Sequence, residues 1–137
     1  MKGMELSREE KAMQNCHLMN KWLYLKNEGI PIKKYLEENG IKTVAVYGLG
    51  DLGKRLIEEL QNYGITIKYL IDARASVLFS DLDIYTLDDD LPDADVVIVT
   101  VLYDFSDIWN AMPERLKEKC ISLKTIVNCL WERCWVK

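Results

Sequence analysis

A chain of 137 residues, 49% hydrophobic and 29% charged, is long enough to bury one sizeable core and has the balance of an ordinary folded domain. Its net charge of −4 argues against non-specific nucleic-acid binding, which needs a basic face to neutralise phosphates. Residues 1–10 are polar and charged, with no apolar core of a secretory signal. The most apolar run, residues 96–103, is too short to span a bilayer, so a cytoplasmic location without a membrane span is expected.

The four cysteines, Cys16, Cys120, Cys129 and Cys134, form no C-x-x-C pair, and His17 is the one histidine. That set points to buried, reduced thiols rather than a zinc site, and no metal is expected.

In chain order, Ser7-Arg8-Glu9-Glu10 reads as a capping box that opens a helix running to about Glu28. Gly29 suits its left-handed C-terminal cap, and Pro31 blocks continuation. Cys16, Met19, Trp22 and Leu23 are assigned to its inner face. A shorter helix from Ile32 to Glu38 buries Ile32, Tyr35 and Leu36 and ends at Asn39-Gly40. The β-branched run 42–47 then reads as a central parallel strand buried on both faces. A helix from about Asp51 to Tyr63 carries Leu52, Leu56, Leu60 and Tyr63 on one stripe and stops at Gly64. Residues 66–71 form the second strand. Residues 73–83 follow neither period, and Ile84-Tyr85 is a short edge strand. Residues 96–100 form another buried strand. Asp104 or Ser106 caps the next helix, with Ile108, Met112 and Leu116 inward and Pro113 splitting it. Cys120-Ile121 is the last strand, and Ser122 caps a final helix with Leu123, Ile126, Val127, Leu130, Trp131 and Cys134 at helical spacing. The alternation predicts an α/β fold: a doubly wound, Rossmann-like parallel sheet of about five strands, preceded by a helical pair. Residues 1–40 are assigned to the helical extension and 41–137 to the nucleotide-binding domain.

Gly48-Leu49-Gly50-Asp51-Leu52-Gly53 spells G-x-G-x-x-G between a predicted strand and a predicted helix. Gly48 permits a tight turn, Gly50 lets backbone approach a pyrophosphate, and Gly53 lets helix pack on strand. The phosphates would meet the N–H groups and macrodipole of the helix N-terminus. Asp72 follows 19 residues after Gly53, where a carboxylate can accept from ribose hydroxyls. An acid there favours NAD over NADP, and Arg74 softens that preference. Against this stand two bland readings: glycines that only make a turn, and a solvated or capping Asp72. The same run spells G-x-x-x-x-G-K, but Arg55 stands where a nucleoside-triphosphatase loop needs Ser or Thr, and Leu52 breaks a G-x-G-x-G methyltransferase loop.

The segments Val44-Ala-Val-Tyr-Gly-Leu-Gly-Asp-Leu-Gly53, Tyr69-Leu-Ile-Asp72 and Asp95-Val-Val-Ile-Val-Thr100 resemble the Rossmann-like NAD(P)- or nucleotide-binding modules found with bacterial surface-polysaccharide proteins. The resemblance covers roughly residues 40–130, and more loosely the leading helices. It implies cofactor contacts from Gly48, Gly50, Gly53 and Asp72, with Thr100 at the carboxyl edge near the cofactor's middle; Asp51 and Leu52, between the glycines, are counted with the cofactor-binding residues. It carries no catalytic residue.

Catalytic groups are hard to find. None of the seven tyrosines has Lys four residues later, as a short-chain dehydrogenase requires. Cys16 and His17 diverge on a helix and cannot act as a pair. Asp88-Asp89-Asp90 reads as a solvated loop. The expected function is therefore a module binding NAD(H), with NADP(H) or another nucleotide as alternatives, regulatory or a partner of a polysaccharide enzyme. The competing readings are an oxidoreductase or sugar-nucleotide enzyme completed by oligomerisation, and a structural interaction domain without ligand. The apolar terminal helices suggest a homodimer.

Overall fold

The structure, a computed structural model, describes residues 5–135. The reading of residues 1–10 as free of a signal therefore lies partly outside the described residues. Helix α1 (Arg8–Asn27) opens on the capping box: Ser7 Oγ accepts from the Glu10 N–H, and the Glu10 carboxylate accepts from the Ser7 N–H. It ends at Gly29, whose φ of 71° is the left-handed conformation that stops a helix. Helix α2 (Ile32–Glu38) follows. Then come β1 (Thr43–Tyr47), α3 (Asp51–Asn62), β2 (Thr66–Ile71), β3 (Ile84–Tyr85), β4 (Val96–Val99), α4 (Phe105–Ala111), α5 (Glu114–Lys117), β5 (Cys120–Ser122) and α6 (Leu123–Arg133). Pro113 separates α4 from α5, and Ser122 caps α6 through the Lys124 N–H. The β2–β3 connection holds only one 3-10 turn, Ala75–Val77, in place of a crossover helix.

The five strands form one parallel sheet in the order β3-β2-β1-β4-β5. The chain runs outward from β1 through α3 to β2, and outward the other way from β4 to β5, which is the doubly wound, Rossmann-like arrangement. Alternate strand residues feed two cores. Val44, Val46, Val96 and Ile98 pack under α1, α2, α3 and α6. Ala45, Val97 and Val99 face the opposite way, against Ile108, Met112 and Leu116 of the α4–α5 region and Leu91 and Ala94 of the loop before β4. The leading helices thus share a core with the sheet: Leu18, Trp22, Leu25, Ile32 and Leu36 are all buried there.

Four details differ from the sequence reading, the first being Tyr35, which is only half-buried beside the buried Ile32 and Leu36 of α2. The inner stripe of α1 is Leu18, Trp22 and Leu25, while Cys16 and Leu23 are exposed and Met19 only partly buried. Helical spacing puts Leu23 about 100° around from Trp22, so only one of the two can face inward once the Trp22 indole is anchored. Tyr63, at the C-cap of α3, lies beyond its buried stripe and is exposed. The thiols are not uniformly buried: Cys16 is exposed and the other three are half-buried. Burial pushes the Cys120 thiol up to about 11, which keeps it protonated at neutral pH.

Candidate functional site

The fingerprint lies at the carboxyl edge of the sheet, beside the point where the connections from β1 and β4 diverge. Open α/β sheets leave a crevice there. The ladder continues past the strands and fixes the loop: Gly48 N–H donates to Ile71 O at 2.8 Å, and Thr100 N–H to Tyr47 O at 2.9 Å. The Thr100 hydroxyl is shared between Tyr47 O (2.8 Å) and Gly48 O (2.9 Å), so it straps the end of β4 to the glycine turn. Thr100 stands at the expected edge, but its hydroxyl is spent on this backbone.

The three glycines have different reasons to be glycine. Gly48 has φ 95°, and a Cβ there would sit 2.5 Å from Thr100 Oγ1. A Cβ on Gly53 would lie 1.9 Å from Gly48 O, an impossible approach. The turn reading therefore accounts for both. Gly50 is unlike them. It has φ −80°, ordinary for any residue, and a Cβ there would meet nothing within 4 Å. It is the N-cap of α3, and among the described residues no side chain caps this helix. The turn therefore needs no glycine at 50, and a side chain would only fill the space in front of the N–H groups of the first turn. Of the other first-turn positions, Asp51 is exposed and Leu52 is buried in the core, so each offers the loop its backbone N–H.

Asp72 follows β2 directly and is 7% exposed. Its Oδ2 accepts from the Leu49 N–H at 2.8 Å, which ties the glycine loop to β2. Its Oδ1 accepts from the Arg74 N–H at 2.8 Å and from Arg74 Nε at 3.2 Å, while Arg74 Nη2 lies 3.4 Å from Oδ2. Burial alone would raise the Asp72 pKa. The hydrogen bonds from the Arg74 side chain and from the Arg74 and Leu49 N–H groups overcome it and hold the carboxyl below its ordinary value. The acid is thus neither solvated nor a helix cap. Tyr47 lies at the same edge, where burial, then Asp72 and Asp104, push its phenol up and keep it neutral. On the far side, Lys11 of α1 sits over the Tyr103 ring, 4.5 Å from its centroid, bringing the start of α1 to the loop after β4.

Chemically, this arrangement offers donors for anions at α3, beside an Asp72 carboxylate whose acceptor positions are held by Leu49 and Arg74. The other candidates stay apart from it. His17 is exposed on α1. Asp88, Asp89 and Asp90 are exposed on the loop after β3, where Asp89 accepts from the Thr86 N–H at 2.7 Å. Among the described residues no three His, Cys, Asp or Glu side chains gather as metal ligands.

One residue that positions the site escaped the sequence reading. Glu59 of α3 is 4% exposed and accepts from Trp22 Nε1 (3.0 Å) and the Ile32 N–H (2.9 Å), with Lys26 Nζ at 3.3 Å. It fastens the leading helices to the helix whose other end faces the glycine loop. Its signal was its place: seven residues after Leu52, it stands on the stripe of Leu52, Leu56 and Leu60 where an apolar residue is expected.

Comparison with protein-family models, with curated proteins and with solved structures finds no match to this chain.

Proposed function

We propose that this chain is a nucleotide-binding module that takes the pyrophosphate of an NAD-type dinucleotide at the N-terminus of α3 and holds no complete catalytic site of its own. The observation that carries the reading is Gly50. Its neighbours are explained by the turn, whereas Gly50 keeps open space in front of an uncapped helix end at the carboxyl edge of a doubly wound sheet. Leu49 and Asp72 hold that loop in place before any ligand arrives.

The test separates binding from folding. Asp is a good N-cap, and the backbone at Gly50 is already extended, with ψ −159°. Gly50→Asp should therefore leave the fold intact, with a melting temperature equal to or above that of the parent. The new carboxylate would occupy the first-turn N–H groups and repel a pyrophosphate. Calorimetric titration with NAD(H), NADP(H), FAD and nucleotide sugars should show binding to the parent at millimolar or tighter affinity, about −4 kcal/mol or better. Gly50→Asp should abolish it. A parent that binds none of these sinks the reading.

A further inference from the structure

We propose that Arg74 occupies the ribose-binding face of Asp72 and thereby decides which dinucleotide this site accepts, favouring one that carries a 2′-phosphate. The inference rests on the nucleotide-binding reading above and concerns the selectivity of that same site. A carboxylate has about four acceptor positions. At Asp72, two are used by backbone, the N–H groups of Leu49 and Arg74, and these belong to the loop itself. The remaining two face Arg74 Nε and Nη2 at 3.2 and 3.4 Å. Those are the positions that the 2′- and 3′-hydroxyls of a ribose would need. An unphosphorylated ribose must displace the guanidinium to reach them, and so competes with an ion pair already made.

The pairing also changes the electrostatics. A lone carboxylate beside the ribose repels a 2′-phosphate, which is why Asp72 in the sequence points to NAD. Here Arg74 neutralises it. The two parts of the pair are unequally held: the Asp72 side chain is 9% exposed and the Arg74 side chain 58% exposed. The guanidinium can therefore turn outward while the carboxylate stays. Both side-chain contacts are longer than the two backbone ones, so the side-chain fork is the part that yields. A 2′-phosphate gives the turned guanidinium a bidentate partner, which an unmodified ribose does not. In the same movement the two Asp72 acceptor positions held by the guanidinium are freed, one of them for the 3′-hydroxyl.

The experiment is calorimetric titration of NAD+ and NADP+ into the parent, Arg74→Ala and Arg74→Lys, at low and moderate ionic strength, with circular dichroism to confirm folding. The parent should bind NADP+ more tightly than NAD+. Arg74→Ala should strengthen NAD+ several-fold, by releasing Asp72, and weaken NADP+, so that the ratio of the two dissociation constants moves by at least about tenfold, the range expected for losing one charge-assisted contact. Arg74→Lys keeps a charge without the fork and should fall between them, with its NADP+ preference more salt-sensitive than its NAD+ binding. An unchanged ratio in both variants overturns the proposal while leaving nucleotide binding intact. A parent that prefers NAD+ overturns it as well. If neither dinucleotide binds parent or variants, the nucleotide reading fails and the proposal falls with it.

Discussion

Glu59 accepts a hydrogen bond from the Trp22 indole N–H at 3.0 Å across the boundary between the leading helices and the sheet. The same carboxylate accepts from the Ile32 N–H, so one side chain serves α1, α2 and α3 together. Truncating it would leave two buried donors without a partner, and such donors cost their full desolvation. Glu59→Ala should lower stability by roughly 2–4 kcal/mol, whereas Trp22→Phe, which removes one donor together with part of the buried indole, should cost about 1–3 kcal/mol. Urea denaturation followed by circular dichroism gives both values. Equal, small losses would mean that the indole contact is not made in solution.

The glycines should separate in the same assay. Gly48→Ala and Gly53→Ala place a Cβ 2.5 Å from Thr100 Oγ1 and 1.9 Å from Gly48 O, respectively. The Gly53 contact is with backbone and cannot be relieved without moving the loop off β1, and Gly48 adds a φ of 95° to a contact that could ease only by turning the Thr100 hydroxyl off its two carbonyls, so each should cost at least about 2 kcal/mol. Gly50→Ala should cost less than about 1 kcal/mol, the difference between two residues at an N-cap. Comparable losses at all three would mean that Gly50 is also required by the turn.

Much of this architecture was legible in the residues because local signals agreed with the tertiary structure. Ser7 with Glu10, Gly29, Pro113 and Ser122 marked helix ends through chemistry that acts within one turn. The apolar runs of β1 and β4 marked strands covered on both faces. The rotation of α1 was not legible. Its apolar residues do not form a clean stripe, and the choice of Leu18 and Leu25 over Cys16 and Leu23 follows from Trp22 meeting Glu59, 37 residues away. The fingerprint located the loop, but it did not show that Gly50 differs from its neighbours, nor that Arg74 folds back on Asp72. Both depend on where other backbone stands in space.

Acid should act on the glycine loop through Asp72. Its folded pKa lies below the ordinary 3.8, so it contributes stability that is fully present above that value and is lost as pH falls through the folded pKa. Asp95, which accepts from the Lys42 and Thr43 N–H groups, is lowered too and adds to the same limb. Stability should therefore be insensitive to Asp72 above about pH 5 and fall below pH 4. Asp72→Asn, which can still accept from Leu49, should shift the neutral-pH midpoint downward and flatten that acid limb. An acid limb of unchanged steepness in the variant would place the lost protons elsewhere.

Removing the first thirty residues should unfold the protein rather than trim it. Leu18, Trp22 and Leu25 would leave the main core, and Glu59 would lose its Trp22 and Lys26 partners. Three large buried apolar side chains alone represent about 5–9 kcal/mol of burial, comparable with the whole stability of a small domain. The truncated chain should lack a cooperative thermal transition. The homodimer proposed for the terminal helices is better probed with Met13, Leu23 and Trp135, which the described fold leaves exposed. Leu23→Glu with Trp135→Glu should leave the melting temperature near that of the parent and shift the light-scattering mass from dimer to monomer. A parent that is already monomeric at high micromolar concentration would remove the dimer.

Tyr69 should be improved by losing its hydroxyl. Its ring projects from β2 into the second core and meets Tyr85 edge-on, with centroids 5.4 Å apart, but its Oη has no hydrogen-bond partner among the described residues. An unpaired buried hydroxyl has left its water bonds without replacement, so Tyr69→Phe, which keeps the ring contact, should be neutral or stabilising by up to about 1 kcal/mol. Burial first, followed by nearby Asp93, Cys120 and Tyr85, pushes this phenol up to about 12 despite the opposing Arg115. Its ordinary value is 10.0, so the unfolded chain ionises first as pH rises. The contribution of Tyr69 to stability is therefore intact below pH 10 and is lost as pH climbs through 12. Tyr69→Phe should make the alkaline limb of the stability curve shallower over that range. It should not abolish it, because Tyr24, Tyr35 and Tyr47 are raised in the same direction. Urea midpoints at pH 7 and at intervals from pH 9 to 12 give both readouts. A loss of more than about 1 kcal/mol at pH 7 would mean that the hydroxyl has found a partner, a bound water being the simplest.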